Sequence, residues 1–202
     1  MGKVAGLVLA GGQSSRMGED KAELLRSGQS MLQFSQALLA DAGISDVFIS
    51  RNQSGGEQKV IKDVIENRGP LAGIYSSLLH IKEANEYDAV LIVAVDMPLL
   101  NADLIKQLMV HGNQSTSACG QEKSLRPACF VDNFFPLYLP INQAVIDYLK
   151  AQIFNDDGNL KVKWLIKAFD GDFIDHQHHQ ALMNTNTPQQ WQQSQQQLAE
   201  RG

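Results

Sequence analysis

Ala89-Val90-Leu91-Ile92-Val93-Ala94-Val95 is an uninterrupted apolar run that stops at Asp96. A strand with one wet face alternates apolar and polar side chains, whereas a run without alternation reads as a strand covered on both faces. Working outward from it, Pro70 opens a helix that reaches about Ala84, with proline in a first-turn position where its missing N–H costs nothing. Further upstream lie strand candidates at Lys59–Asp63 and Asp46–Ser50, and a helix over Ser30–Ala42 whose apolar side is Met31, Phe34, Leu38 and Ala42. The short run Val4–Ala10 ends in Gly11-Gly12, and downstream of Asp96 the stretch Ala102–His111 returns to helix. This order of elements is α/β, and right-handed crossovers then give three layers around a mostly parallel central sheet. Ligands of such sheets bind beyond the carboxyl ends of the strands. That rule singles out the turn at Gly11-Gly12 and the carboxylate of Asp96.

The second half is less regular. Ser115–Gly120 and Arg126–Val131 read as paired strands around a turn near Gln121–Ser124, and Asn142–Ala151 and Leu160–Ala168 read as helices. Phe169–Ile174 reads as a late edge strand, and the glutamine-rich tail as a polar helix anchored by Trp191 and Leu198. The 202 residues, 44% hydrophobic and 19% charged, suit a single domain over residues 1–202. A net charge of −5, from 17 basic and 22 acidic side chains, argues against general nucleic-acid binding, which needs a basic face. It leaves room for a small anionic ligand at a local cluster, and Arg16, Lys21 and Arg26 form one. The apolar start of the chain is too short to span a membrane and lacks the pattern of a secretory signal. The expectation is a soluble, cytoplasmic protein with no membrane partner. Cys119 and Cys129 have no metal-site spacing and are expected to be buried and reduced.

The chemically richest stretch is Leu9-Ala10-Gly11-Gly12-Gln13-Ser14-Ser15-Arg16-Met17-Gly18-Glu19-Asp20-Lys21. It is not the dinucleotide fingerprint, which needs glycine where Gln13 stands, and P-loop spacing fails at Met17. The physics is still that of a phosphate loop. Glycines let backbone N–H groups approach an anion, and Arg16 and Lys21 neutralise charge on a triphosphate. The plain alternative is a tight solvated turn. Asp96, at the rim of the sheet, suits Mg²⁺, which takes one or two carboxylates and fills its shell with phosphate oxygens; the alternative is a turn or N-cap aspartate. Asp63 also ends an apolar strand, which favours a shared site.

Together these pieces resemble the molybdenum cofactor guanylyltransferases, within the nucleotidyltransferase superfamily of Rossmann-like fold. The likeness starts with Leu9–Lys21, read as LAGGxSxRMGxDK. It continues in order through KVIKD at Lys59–Asp63, Gly69-Pro70-Leu71-Ala72-Gly73, Val95-Asp96-Met97-Pro98, Arg126-Pro127 and Asn184-Thr185-Asn186-Thr187-Pro188. It implies a Mg²⁺-dependent enzyme that transfers GMP from GTP to the terminal phosphate of molybdenum-molybdopterin and releases pyrophosphate. By the same resemblance, Leu9, Ala10, Gly11 and Gly12 contact the guanine nucleotide, Lys21 binds its phosphates, Asp63 helps to hold the nucleotide, and Asn52 is the candidate nucleoside contact. Asp96 binds Mg²⁺ and so also meets the nucleotide, while Arg126, Asn184 and Asn186 face the pterin. Arg16 stabilises the departing pyrophosphate, so the implied catalytic set is Arg16, Lys21 and Asp96. Cofactor carrier or acceptor proteins are implied partners.

The chain departs from the family where Ser30-Met31 replaces the usual Pro-Leu, and where the asparagine expected near the end of the second strand falls at Asn52. Relatives that use CTP usually carry alanine where Gly11 stands, which favours guanine. The other readings are a cytidylyltransferase, a sugar-phosphate nucleotidyltransferase, or a catalytically silent cofactor-binding protein. Several further features are set aside. His176-Gln177-His178-His179, with Asp170, Asp172 and Asp175 nearby, is expected to be a solvated loop, and Asp156-Asp157-Gly158 a turn. Trp164 and Phe169 are expected in the core, and Ser14 and Ser15 as loop hydrogen-bonding residues rather than nucleophiles.

Overall fold

The structure is a computed structural model and describes residues 2–11, 20–52, 59–84, 86–114 and 125–201. Among these the chain runs through β1 (Val4–Leu9), a 3₁₀ turn (Lys21–Glu23), and the hairpin β2 (Leu25–Arg26) and β3 (Gln29–Ser30). It continues with α1 (Met31–Asp41), β4 (Val47–Ser50), β5 (Val60–Ile61), α2 (Pro70–Glu83), β6 (Ala89–Ala94) and α3 (Ala102–Gln114). The second half is β7 (Ala128–Phe130), β8 (Asn133–Pro140), α4 (Gln143–Phe154), α5 (Val162–Ala168), β9 (Asp172–Ile174) and α6 (Pro188–Arg201).

Seven strands form one sheet in the order β5-β4-β1-β6-β8-β7-β9. Neighbours β5, β4, β1 and β6 are parallel, β8 runs against both β6 and β7, and β9 is parallel to β7. Period-two alternation then sorts each central strand into two cores. On β6, Ala89, Leu91 and Val93 face one apolar cluster together with α1 and α3, while Val90 and Ile92 face another together with α2, α4 and α5. On β1, Val8 joins the first cluster, and Ala5, Leu7 and Leu9 join the second. The unbroken apolar run at β6 is thus two interleaved half-patterns, each facing its own layer of helices.

The first half follows its sequence-based expectation, with Lys59–Asp63 shortened to the two-residue β5 at the sheet edge and the unanticipated β2–β3 hairpin added before α1. Serine in place of proline at residue 30 has a local reason. The Ser30 side chain caps α1 at the Gln33 N–H, and the Gln33 side chain returns to the Ser30 N–H.

The second half corrects the expectation in three places. The strand at Arg126–Val131 exists as β7, but β8 and β9 occupy its two edges. Its expected partner, Ser115–Gly120, lies outside the described residues. Strand β8 itself was hidden by Pro136 and Pro140. The β7–β8 register jumps between Cys129 and Phe130, which sets Pro136 in an unpaired stretch where its missing N–H is not needed, and Pro140 ends the strand. Trp164 is not a core residue: it is 46% exposed, with Lys167 Nζ 5.3 Å from its ring centroid. Phe169 does pack into the second cluster, edge-on to Tyr148. Among the described residues, no helix is long and apolar enough to cross a membrane.

Gly112 on α3 gives the packing a test. Tyr138 of β8 is fully buried, and its hydroxyl donates to Asn113 Oδ1 at 3.2 Å. A Cβ built on Gly112 would lie 2.6 Å from Cε1 of that ring. Alanine in a helix gains at most about 1 kcal/mol over glycine, whereas forcing atoms into a packed core costs about 1–3 kcal/mol. Gly112→Ala is therefore expected to lower stability in urea denaturation despite its better helix propensity. A stabilised variant would show that α3 does not press on Tyr138 as described.

Candidate active site

The carboxyl ends of β5, β4, β1 and β6 lie side by side, and the side chains singled out from the sequence gather along that edge. At β6 the ladder extends one step past the strand, because the Val95 N–H donates to the Leu9 carbonyl at 3.1 Å. Asp96 is the first residue beyond it. One carboxylate oxygen, Oδ2, accepts from Lys21 Nζ at 3.0 Å. The other, Oδ1, is buried and has no hydrogen-bond partner among the described residues. Lys21 Nζ also donates to Asn186 Oδ1 at 2.7 Å. The motif's lysine, the strand-end aspartate and an asparagine 165 residues from that lysine thus meet around one ammonium group.

Asn186 reaches this point because Thr185 is pinned behind it. Thr185 is 2% exposed, and both its N–H (2.8 Å) and its hydroxyl (3.1 Å) donate to the main-chain carbonyl of Asp96. The segment alternates, so Asn184 and Asn186 are exposed on either side of the buried threonine. The start of α6 fixes its far end. Gln190 Oε1 accepts from the N–H groups of Asn186 and Thr187, while the Gln190 N–H donates to Thr187 Oγ1. The pattern Thr187-x-x-Gln190 is a helix-start signature legible in the sequence, so Gln190 had a signal that could have found it.

Lys21 stands on the 3₁₀ turn, whose Asp20 side chain caps the Ala22 N–H at 3.0 Å while Ala22 itself is fully buried. Leu9, Ala10, Gly11, Asp20, Lys21 and Asp96 line an open cleft of about 210 Å³. Along the edge toward β5, a second polar group forms. The Asp63 N–H donates to Asn52 Oδ1 at 2.9 Å, and the Asp63 carboxylate accepts from Asn52 Nδ2 and Ser50 Oγ, each at 3.3 Å. Gly73 of α2 leaves room for this group, since a Cβ there would collide with Ser50 Oγ and lie 3.3 Å from Asp63 Oδ1. With strands about 4.8 Å apart, the ends of β5 and β6 are separated by about 14 Å. Burial pushes the Asp63 carboxyl above its ordinary value, against the pull of hydrogen bonds from Asn52 and Ser50.

The structure does not bring every expected residue here. Arg126 precedes β7, which runs in the same direction as β6. Ala128 is level with Tyr138, and Tyr138 with Leu91, so Arg126 sits at the amino end of the parallel strands, on the opposite edge from Asp96. Neighbouring Leu125 accordingly lines a separate hollow with Pro140 and Ile141. The expected place of Arg126 beside the pterin is corrected on that ground. Arg26 also leaves the expected cation cluster: its Nε donates to the Pro98 carbonyl at 2.7 Å, and its guanidinium stacks 3.9 Å over Phe34. Gly12 and Arg16, with Ser14, Ser15 and Cys119, lie outside the described residues.

Cys129 is buried and its thiol is pushed up to about 12 by burial, so it offers no thiolate. His176 is half-buried rather than solvated, packed edge-on against Phe130, and His111 Nε2 lies 3.0 Å from Asp172 Oδ2. Among the described residues no group of three or more His, Cys, Asp or Glu side chains converges as a metal site.

A parallel α/β edge that offers a glycine-containing strand exit, a lysine and a strand-end carboxylate suits a nucleotidyltransferase. Over residues 6–151 the chain matches the MobA-like NTP transferase domain, and it belongs to that family. It is 32% identical over 188 residues to a molybdenum cofactor guanylyltransferase of Xanthomonas euvesicatoria pv. vesicatoria, covering 92% of this chain and 91% of the relative. A guanylyltransferase of the same name from Yersinia pseudotuberculosis is 30% identical over 179 residues, covering 82% of this chain and 87% of the relative. In fold, the chain is similar to molybdopterin-guanine dinucleotide biosynthesis protein A of Archaeoglobus fulgidus, with a TM-score of 0.69 at 17% identity over 97% of this chain and 99% of that one.

The Asp63 environment sets a pH dependence. Its folded-state pKa is raised, so between the ordinary value of 3.8 and the folded value the native protein holds a proton that the unfolded chain has lost. Its contribution to stability is full below 3.8 and is lost as pH rises through the folded value. In chemical denaturation across that window, wild type should lose stability relative to Asp63→Asn as pH rises. A difference that stays flat with pH would remove burial as the dominant influence on this carboxyl.

Proposed function

We propose that this protein transfers GMP from GTP to the terminal phosphate of molybdenum-molybdopterin, releasing pyrophosphate and forming the guanine dinucleotide form of the cofactor. The observation that carries this reading is the convergence of Lys21, Asp96 and Asn186 on the carboxyl edge of the sheet. It is supported by likeness over 92% of the chain to a protein named for that reaction.

The chemistry asks for alignment and charge management. The attacking group, a phosphate oxygen, is already an anion, so no strong general base is required. The barrier is repulsion between anions and the need to bring them into line. Lys21, on its capped turn, places a cation in the cleft where a triphosphate lies once the nucleoside is held at Asp63 and Asn52. Leu9, Ala10 and Gly11 form the wall between. Asn184 and Asn186 are exposed on either side of Thr185, with Asn186 against Lys21, and both suit the pterin. Arg16 keeps the role of countering charge on the leaving pyrophosphate, and Gly12 that of nucleotide contact, on the strength of the family motif.

The residues fit a divalent metal, and Mg²⁺ in particular. Asp96 Oδ1 is a buried, hard anionic oxygen with no partner among the described residues, and Mg²⁺ needs only one or two such ligands beside phosphate oxygens. When bound there, Mg²⁺ supplies charge neutralisation to the phosphates. Asp96 would hold it through Oδ1 while Lys21 anchors the second oxygen of the same carboxylate.

The test is to incubate the protein with Mg²⁺, molybdate-loaded molybdopterin, and GTP, CTP, ATP or UTP in turn, following pyrophosphate and the dinucleotide product. Product with GTP alone is expected. Product with CTP alone would keep the fold and chemistry and overturn the base assignment, and no product with any nucleotide would overturn the proposal. Asp96→Asn should lose at least about 100-fold in turnover with an unchanged circular dichroism spectrum, as expected when a preorganised electrostatic group is removed. Near-full activity would take Asp96 out of the mechanism.

A further inference from the structure

The cation at the centre of the cleft rides on a weak element. Lys21 belongs to a three-residue 3₁₀ turn, a geometry with poor hydrogen bonds and little stability of its own. A lysine side chain also carries up to about 2 kcal/mol of rotamer freedom. Nothing intrinsic to Lys21–Glu23 explains why Nζ is held within 3.0 Å of Asp96 and 2.7 Å of Asn186.

The explanation lies one strand away. Arg51, directly after β4, has a side chain only 16% exposed. Its Nη2 donates to Asp20 Oδ2 at 2.6 Å and to Glu23 Oε1 at 2.9 Å. Asp20 and Glu23 are the residues that bracket the turn, the first as its N-cap and the second as its last residue. The two oxygens of Asp20 are thereby divided: Oδ1 caps the Ala22 N–H and Oδ2 takes the guanidinium. The backbone of Arg51 is itself fixed, since its N–H donates to the Ile61 carbonyl of β5 at 3.0 Å. The clamp therefore transmits the rigidity of the sheet to both ends of the turn.

We propose that Arg51 is the positioning residue of Lys21, bridging Asp20 and Glu23 so that the turn aims Nζ at the Asp96–Asn186 corner. The inference rests on the reading that Lys21 binds nucleotide phosphates. It predicts that breaking the bridge weakens binding of the triphosphate while sparing the nucleoside held at Asp63 and Asn52.

The experiment is calorimetric titration of GTP and of guanosine into wild type, Arg51→Gln, Arg51→Lys, Asp20→Asn, Lys21→Ala and the Arg51→Gln/Lys21→Ala double variant. Arg51→Gln should lose about tenfold in GTP affinity, within the range of coupling measured between groups in contact, with guanosine affinity unchanged. Arg51→Lys should recover part of the loss. Adding Arg51→Gln to Lys21→Ala should cost nothing more, because the residue acts through the lysine.

Asp20→Asn separates positioning from simple electrostatics. It removes a negative charge from the cleft and the bridge together, while asparagine still caps the turn. Positioning predicts a loss of GTP affinity there, and charge removal alone predicts a gain. It also serves as the test if Arg51→Gln fails to fold. Equal losses for guanosine and GTP, additive losses in the double variant, or a gain with Asp20→Asn would overturn the inference. A silent Arg51→Gln beside a normal loss in Lys21→Ala would overturn it and leave the proposed function standing. A silent Lys21→Ala would overturn it together with the assignment of Lys21 to the triphosphate.

Discussion

A strand enclosed on both faces cannot carry a charge until it leaves the sheet. An unpaired ion there would lose its hydration without compensation, and β6 accordingly admits none from Ala89 to Ala94. Both helical layers press on this strand, and every other strand of the sheet takes its position from it or from its neighbours. A carboxylate can stand only at the two ends of β6: Asp88 precedes its amino end, and Asp96 follows its carboxyl exit. The same enclosure, applied to β1, β4 and β5, confines charged groups to the strand ends: Lys3, Asp46 and Lys59 meet at the amino edge, and Asp63 and Asp96 stand at the carboxyl edge. The site is thus a consequence of covering the sheet twice, and the cleft runs across strand ends because that is where backbone and side chains regain access to water.

What turns this edge into a site is a small set of long-range hydrogen bonds. Lys21 is joined to Asp96 across 75 residues of sequence and to Asn186 across 165. Arg51 ties the lysine's turn to β4, and Thr185 ties the late segment to the carbonyl of Asp96. Each tie uses a group that is buried or half-buried, so its bond is less screened than a surface ion pair would be. The side chain of Asp96 is held by one of its oxygens and its main chain by Thr185, so the remaining oxygen has a fixed direction. Such preorganisation suits chemistry in which the reacting groups are already charged and only their arrangement is at stake.

Legibility in the sequence followed the range of the interaction. Local patterns were readable: the apolar run of β6, the helical spacing from Met31 to Ala42, and the glycine-containing exit of β1 are each set by near neighbours in the chain. The motif pieces also pointed to Lys21, Asp63, Asp96 and Asn186, which lie along one edge of the sheet, Lys21 on its 3₁₀ turn and the others where a strand or extended segment meets solvent. Strand β8 was obscured because its two prolines speak against a central strand, and only the register jump opposite Cys129 makes room for one of them. Arg126 was misplaced because a motif conveys order along the chain and not the direction in which a strand runs. Arg51 gave no signal at all: its partners lie 31 and 28 residues away, and an arginine after a strand looks like any solvated cation.

The grip of Thr185 on Asp96 also has a consequence in time. The two residues are 89 positions apart, and ribosomes add about 5–20 residues per second, so Asp96 is made roughly 5–20 s before the residue that braces it. Strands β1, β4, β5 and β6 are all present in the nascent chain well before then, and the helices between them can already dock. The corner that receives the lysine cannot close until the segment carrying Thr185 and Asn186 has left the ribosome. The order of synthesis therefore separates the appearance of the sheet from the completion of the site, and an unfinished chain carries the scaffold without the finished grip.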